Sequence, residues 1–235
     1  STGYKFFHSR EGSVHMALNY DGVLDEAGYV TQAKEISSLI NAKTATNILE
    51  LACGKGFNSI FLAKQFPDIQ FQGIDITSKH LSIANKKAKH LENVTFSYGD
   101  FHDLEFHDST FDIIFELESV CYAFNLKKVL EGVYAKLKKN GIFILYDGFR
   151  LSGFEQLPEE LKKAAILSEK SMAVNSTLQL MSGLKSLLKQ DSKSYHVKTY
   201  PRQSCQPWGD FKNLPGVILN TLYFPKFYSA CFPGK

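Results

Sequence analysis

Apolar residues in the middle of the chain fall into short continuous runs separated by stretches with helical spacing. Five runs predict strands buried on both faces, namely "NILELAC" (47–53), "FQGIDI" (71–76), "VTFSYGD" (94–100), "FDIIFELES" (111–119) and "GIFILYDGF" (141–149). The stretches between them predict helices near 57–66, 78–91 and 125–139. Because strands without a polar face alternate with helices, we expect a mostly parallel sheet with helices on both faces.

Boundary residues sharpen these elements. Thr77, Ser78 and Asn125 are suited to cap helix N-termini. Asn140 and Gly141 predict the end of the helix over 125–139 and lead directly into the fifth strand.

The flanking regions are less regular. We expect an N-terminal helix over 24–42, preceded by the aromatic arm "YKFFHSREGSVHMALNY", and later helices near 157–173 and 176–189. "SYHVKTY" (194–200) is a possible strand, and a final strand either lies in "GVILNTLYF" (216–224) or is missing. We expect one domain over 1–235, made of an N-terminal arm and helix (1–45), a ligand-binding core (46–150) and an acceptor-binding or lid region (151–235).

Composition narrows the possible partners. A formal charge of +3 in 235 residues, with lysines near helix ends, argues against nucleic-acid binding. The four cysteines show no metal-ligand spacing, and we expect reduced buried thiols, no metal and a cytoplasmic monomer or homodimer. No apolar run approaches the roughly 18 residues of a spanning helix, so we expect no stable membrane insertion.

The turn between the first strand and its helix is the main candidate for a ligand site. Gly54 and Gly56 allow a tight turn and a close approach of a ligand to the backbone, and the following helix directs free N–H groups back at it. A dinucleotide site favours G-x-G-x-x-G, but "GKGFNS" lacks the third glycine. Glu50, four residues before Gly54, would repel a pyrophosphate and suits a cationic group.

Two further acids follow the next strands. Asp75 in "GIDIT" is placed to accept both hydroxyls of a ribose, and Asp100 in "YGDF" can accept the exocyclic amine of adenine. Together with Glu50 they favour S-adenosyl-L-methionine, which carries an ammonium and a sulfonium and no phosphate.

The segment "ELACGKG" (50–56) resembles the first motif, D/E-x-G-x-G-x-G, of the class I S-adenosylmethionine-dependent methyltransferases. The resemblance extends over about 45–150, and it implies a Rossmann-like fold, S-adenosyl-L-methionine as cofactor and S-adenosyl-L-homocysteine (SAH) as product. It also implies cofactor contacts by residues at the first three strand ends, namely Glu50, Ala52, Gly54, Gly56, Asp75, Ile76, Asp100 and Phe101. Ala52 departs from the glycine of the motif, and its methyl group could crowd the cofactor.

The stretch from "FDIIFELES" to "YDGF" (111–149) is similar to small-molecule methyltransferases related to sterol C-methyltransferases. Glu116 and Glu118 are two apart and would share one face of an extended strand. We assign Glu116 to cofactor binding, and Glu118 and Tyr122 to catalysis on a small, partly apolar acceptor. His15 and Tyr20 either close over the cofactor or pack against helices.

Three functions stay open from the sequence. The first is a small-molecule methyltransferase. The second is a non-catalytic scaffold that keeps the fold and binds the cofactor. The third, a nicotinamide-dependent oxidoreductase, is disfavoured by the missing glycine and by Glu50.

Overall fold

A computed structural model describes residues 9, 12–19, 25–104, 110–147, 154–171, 196–199 and 228–231. Its strands are β1 (Asn47–Leu51), β2 (Gln70–Asp75), β3 (Val94–Tyr98), β4 (Phe111–Leu117), β5 (Leu137–Tyr146), β6 (His196–Thr199) and β7 (Tyr228–Cys231). Its α-helices are α1 (Thr31–Lys43), α2 (Phe57–Gln65), α3 (Ser78–Ala88), α4 (Leu126–Lys136) and α5 (Glu159–Ser171).

The first five strands form one parallel sheet in the order β3-β2-β1-β4-β5. This confirms the predicted Rossmann-like α/β architecture. The strand order reverses between β1 and β4, and ligands of open α/β sheets bind outside the carboxyl ends of the strands at such a point. The glycine turn after β1 therefore lies at the expected ligand position.

Alternation along the strands builds two cores, one on each face of the sheet. On β1, Ile48 joins the core that contains side chains of α1, α2 and α3, whereas Leu49 joins the core that contains side chains of α4. Both side chains are fully buried. This explains why the strands read as continuous apolar runs, because neither face of the sheet meets water.

The boundary between α4 and β5 differs from the prediction. The helix ends at Lys136, not at residue 139, and the strand begins at Leu137, before the predicted stop at Asn140 and Gly141. Leu137 is buried and pairs with Phe111, so burial and strand pairing override the helical spacing. Asn140 then takes a left-handed conformation inside β5, where the register against β4 shifts.

The flanking elements agree in part with the prediction. The N-terminal helix begins with a 3-10 turn over Glu26–Val30 before α1, and α5 matches the helix expected near 157–173. β6 confirms the strand in 194–200, and it pairs antiparallel with β7. The predicted helix 176–189 and the segment 216–224 lie outside the described residues. Among the described helices, none combines the length and apolar character needed to cross a membrane.

Candidate functional site

The turn after β1 has an unusual backbone. Ala52, Gly54 and Gly56 all have positive φ, at 51°, 54° and 74°, and α2 begins at the next residue. The Cys53 N–H donates to the Ile74 carbonyl at 2.9 Å, which ties the turn to β2. Three left-handed residues within five reverse the chain direction between a buried strand and a buried helix.

Close packing is one reason for glycine at two of these positions. A β-carbon on Gly54 would lie 2.6 Å from Cγ2 of Val14, and one on Gly56 would lie 2.6 Å from Cζ of Phe96. The N-terminal arm and β3 therefore use the space that the missing side chains leave. The sequence had suggested only the turn and the approach of a ligand.

Glu50 is buried at the end of β1 and faces the first turn of α2. Its Oε1 accepts the Asn58 amide at 3.1 Å, and its Oε2 accepts the Ser59 N–H at 3.1 Å and the Ser59 hydroxyl at 2.5 Å. Burial raises the pKa of Glu50 to about 7, although these hydrogen bonds oppose the rise. The carboxylate thus fixes the helix that follows the turn.

Asp75, at the end of β2, braces the glycine turn. Its Oδ2 accepts the Gly54 N–H at 2.8 Å, and its Oδ1 accepts the Thr77 N–H at 2.7 Å. Ile76, the next residue, is 61% exposed at the same edge of the sheet. A buried acid and an exposed aliphatic side chain thus follow each other where the sequence predicts ribose and adenine contacts.

Asp100 and Phe101 follow β3. Oδ1 of Asp100 accepts both the backbone N–H of His102, at 2.8 Å, and the Nδ1–H of its ring, at 2.7 Å. Burial alone would raise the pKa of Asp100, but these bonds and the charges of His102 and Lys128 lower it overall. Among the described residues nothing donates to Oδ2. The ring of His102 stacks on Phe124 at 3.8 Å, and Phe124 is itself 79% exposed.

Glu116 lies within β4 and Glu118 follows it, so the two acids do not share the face of one extended strand, which corrects the prediction. β4 ends at Leu117, and Glu118 has a φ of 53°, so the alternation stops before it. Glu116 is fully buried, and its Oε2 accepts bonds from Ser119 and Val120. Its Oε1 has no hydrogen-bond partner in the described part of the chain.

Glu118 is half-buried and meets the N-terminal arm. Its Oε2 accepts the Met16 N–H at 3.1 Å, and burial raises the pKa of Glu118 to about 7. Tyr122, which lies in a short 3-10 helix over Val120–Tyr122, is 44% exposed. Both residues lie beyond the carboxyl end of β4, where the sequence places acceptor chemistry.

Several residues of the site were not predicted. Asn58 and Ser59 hold Glu50, His102 holds Asp100, and Met16 contacts Glu118. The signal in the sequence was the pair of polar residues, Asn58 and Ser59, directly after the glycine turn. Both are buried in the structure, at positions where packing against the sheet would favour apolar side chains. The arm was expected to close over the cofactor or pack against helices through His15 and Tyr20. His15 contacts Asn58 of α2, and Tyr20 lies outside the described residues.

Comparison with known proteins agrees with this geometry. A family model described as "Methyltransferase domain" matches residues 42–203, more than half of the chain. The chain belongs to this methyltransferase domain family. The match includes the whole five-stranded sheet and all the acids described above.

The relatives of this methyltransferase domain act on varied acceptors. The present chain is 24% identical to the sterol 24-C-methyltransferase of Candida albicans over 156 residues, which are 65% of this chain and 41% of that protein. It is 31% identical to the demethylmenaquinone methyltransferase of Thermotoga maritima over 118 residues, 48% of each chain. The domain thus spans less than half the length of these two relatives.

Solved structures share the fold. The YcgJ protein from Bacillus subtilis superposes with a TM-score of 0.56 at 22% identity, over 71% of each chain. The plantazolicin methyltransferase BpumL, solved in complex with SAH, gives a TM-score of 0.56 at 18% identity, over 85% of this chain and 80% of that one. At these identities the similarity supports the fold alone.

The positive φ of Ala52 leads to a testable prediction. A left-handed conformation costs a residue with a β-carbon roughly 1–2 kcal/mol, and Gly loses about 0.4–1 kcal/mol more entropy on folding. Ala52→Gly should therefore leave the free energy of unfolding unchanged or raise it by up to about 1.6 kcal/mol. Ala84→Gly is the matched control, because Ala84 is buried in the helix α3. Its replacement by glycine should lower the free energy of unfolding by about 1 kcal/mol or more. Urea unfolding measures both, and equal losses in the two variants would contradict the strain at Ala52.

Proposed function

We propose that this domain binds S-adenosyl-L-methionine at the glycine turn and transfers its methyl group to a small, partly apolar acceptor. The observation that carries the proposal is the set of acids around one turn. Glu50, Asp75 and Asp100 end or follow adjacent parallel strands, and Asp75 directly binds the turn. An edge of this charge favours a cationic nucleoside over a pyrophosphate.

The proposed cofactor contacts divide by strand. The backbone from Ala52 to Gly56 would hold the methionine part, and Asp75 would accept a ribose hydroxyl through lone pairs that its two backbone bonds leave available. Ile76 offers an exposed apolar surface to the adenine ring, and Phe101, which follows β3, would contact the same ring. Oδ2 of Asp100 is available to accept the adenine amine.

Glu50 and Glu116 would support cofactor binding indirectly, because their carboxylates hold the backbone segments that line the proposed site. Both oxygens of Glu50 bind α2, so it would fix the helix N-terminus and add negative potential near the ammonium. Glu116 likewise shapes the loop from Ser119 to Val120. Neither carboxylate forms a salt bridge with a described residue. A cationic ligand would therefore lower the free-energy cost of burying their negative charges.

Methyl transfer is an in-line displacement at a carbon that the sulfonium already activates when the cofactor is bound. The chain must therefore align the acceptor and exclude water. Glu118 and Tyr122 lie beyond β4 and are accessible in part. We propose that the Glu118 carboxylate accepts the proton of a hydroxyl or other protonated acceptor, or faces the cation formed from an alkene. Tyr122 would orient the acceptor.

The proposal includes a cytoplasmic location and a monomer or homodimer, and one feature of the described residues suits a reducing compartment. Cys53 and Cys121 are buried free thiols, as in a reducing compartment. Relatives that act on sterols and on demethylmenaquinone support acceptors with a large apolar part.

Cofactor binding is tested at Asp100. Asp100→Ala should weaken SAH binding by about tenfold or more, since a hydrogen bond to a charged group contributes about 1.5–3 kcal/mol. Asp103→Ala is the matched control three residues away and should leave the Kd unchanged. Titration calorimetry measures both, and S-inosylhomocysteine, which lacks the amine, should bind wild type more weakly than SAH. Equal affinities of wild type and Asp100→Ala for both SAH and S-inosylhomocysteine would contradict adenine recognition by Asp100. Tight binding of reduced nicotinamide dinucleotide would favour an oxidoreductase.

Catalysis is tested at Glu118. With labelled cofactor and a panel of a sterol, an amine and a phenol, wild type should methylate at least one acceptor, and Glu118→Gln should lower kcat by about 100-fold or more. Because a base acts in its ionised form, kcat/KM should rise through about pH 7, where burial places the pKa of Glu118. Glu131→Gln, in an exposed pair on α4, is the control. SAH binding without methylation of any acceptor would favour the scaffold.

A further inference from the structure

The N-terminal arm crosses the candidate site between the ends of β1 and β4. Val14 packs against Gly54, and the Met16 N–H binds Glu118. Further along, the Leu18 N–H donates to the Gly28 carbonyl at 2.9 Å, and His15 is 2% exposed. The arm is therefore docked on the two strand ends where cofactor and acceptor chemistry are proposed.

The ring of His15 has an acceptor at both nitrogens. Nδ1 lies 3.0 Å from the Met16 carbonyl oxygen, and Nε2 lies 3.1 Å from Oδ1 of Asn58. The Asn58 amide nitrogen is 3.1 Å from Oε1 of Glu50, which orients its oxygen toward the ring. A neutral imidazole has a single N–H and can satisfy only one of these two acceptors.

Two arrangements satisfy every atom of this chain of contacts. In the first, His15 is an imidazolium that donates twice, and Glu50 is ionised. In the second, the Asn58 amide is reversed, a protonated Glu50 donates to its oxygen, and its nitrogen donates to Nε2 of a neutral His15. Both hold the same number of protons, one more than neutral His15 with ionised Glu50.

We propose that His15 is a positioning residue that shares a single proton with Glu50 through Asn58, and that this proton holds the arm on the glycine turn. Without it, two lone pairs face each other in a buried contact, which is costly where water cannot compensate. The arm would then release Val14 from Gly54 and Met16 from Glu118, which opens the proposed cofactor site.

The surroundings favour retention of this proton near neutral pH. The titratable groups near the network come from several elements, and they are Asp75 at the end of β2, Cys53 in the turn, Tyr29 beside the His15 ring, Glu118 at Met16, and Lys55 and Lys87 beside Gly12. Burial first, and then the charge of Asp75, raise the pKa of Glu50 to about 7.

The direction of the pH dependence follows from the proton count. In the undocked arm, His15 is solvated and loses its proton near its ordinary pKa of about 6.5. Above this pH, docking takes up one proton, so the docked state weakens as pH rises. The limiting slope for one proton is about tenfold per pH unit.

Hydrogen exchange of the full chain tests this proposal directly. The Met16 and Leu18 amides report docking, and protection factors remove the intrinsic pH dependence of exchange. In wild type, protection of these amides should fall as pH rises above about 6.5, the ordinary pKa of the undocked His15, with a slope of at most tenfold per unit, and should level off where the docked network loses its proton. Phe115 in the centre of β4 should keep its protection, which shows that the change is local.

Three variants distinguish the proton from simple packing. Glu50→Gln mimics the protonated carboxyl, so the arm should stay protected with little pH dependence. His15→Gln can satisfy only part of the network and should lose protection at every pH. Gln32→Leu removes the bond from the Gln32 amide to the Met16 carbonyl, 3.1 Å long, and should lower protection by a constant factor with the slope unchanged.

The same pH slope in wild type and Glu50→Gln would overturn the proposal, as would a flat wild-type profile. If His15→Gln fails to fold, the comparison of wild type, Glu50→Gln and Gln32→Leu still decides. The proposal rests on the proposed function only for its effect on the cofactor. If wild type shows no SAH binding but keeps the pH dependence of amide protection, the proposed function is contradicted and the proposal of the shared proton is still supported.

Discussion

Glu50 accepts three hydrogen bonds from the first turn of α2, and these bonds fix how β1 hands over to its helix. The left-handed residues between them follow from this constraint, since the chain must reverse within five residues. Asp75 completes it by binding the Gly54 N–H from the neighbouring strand. The arm then docks on the turn, through Val14 and through His15 on Asn58.

This arrangement has an energetic cost that suits a binding site better than a structural core. Burial raises the pKa of both Glu50 and Glu118 from the ordinary 4.5 to about 7, so the free energy of unfolding falls as pH rises from about 4.5 to about 7 and levels off above that. Buried acids without protein counter-ions are typical of functional sites, where a ligand supplies the missing charge. The raised pKa of Glu116, caused by burial and by Asp147, fits the same pattern.

Much of the fold and of the acidic edge of the sheet could be predicted from the sequence. Buried strands read as continuous apolar runs, and their carboxyl ends meet at one edge, so Glu50, Asp75 and Asp100 could be placed together before the structure was known. Predictions from helical spacing were wrong where contacts between residues distant in sequence determine the secondary structure. Leu137 pairs with Phe111 and turns the last predicted turn of α4 into strand.

The positive φ of Glu118 and the contacts of the arm were also beyond sequence reasoning. Strand alternation assumes an extended backbone, and nothing in "ELES" indicates that it ends at Leu117. His15 and Asn58 are 43 residues apart, so no local pattern connects them. The departure of Ala52 from the family motif was visible, but its left-handed conformation was not.

The most direct test of the central claim is the structure of this chain with SAH bound. The account predicts the amino-acid end of SAH at the turn from Ala52 to Gly56, a ribose hydroxyl on Asp75, and adenine beside Ile76 with its amine on Asp100. SAH bound elsewhere, or bound with these groups out of contact, would contradict it.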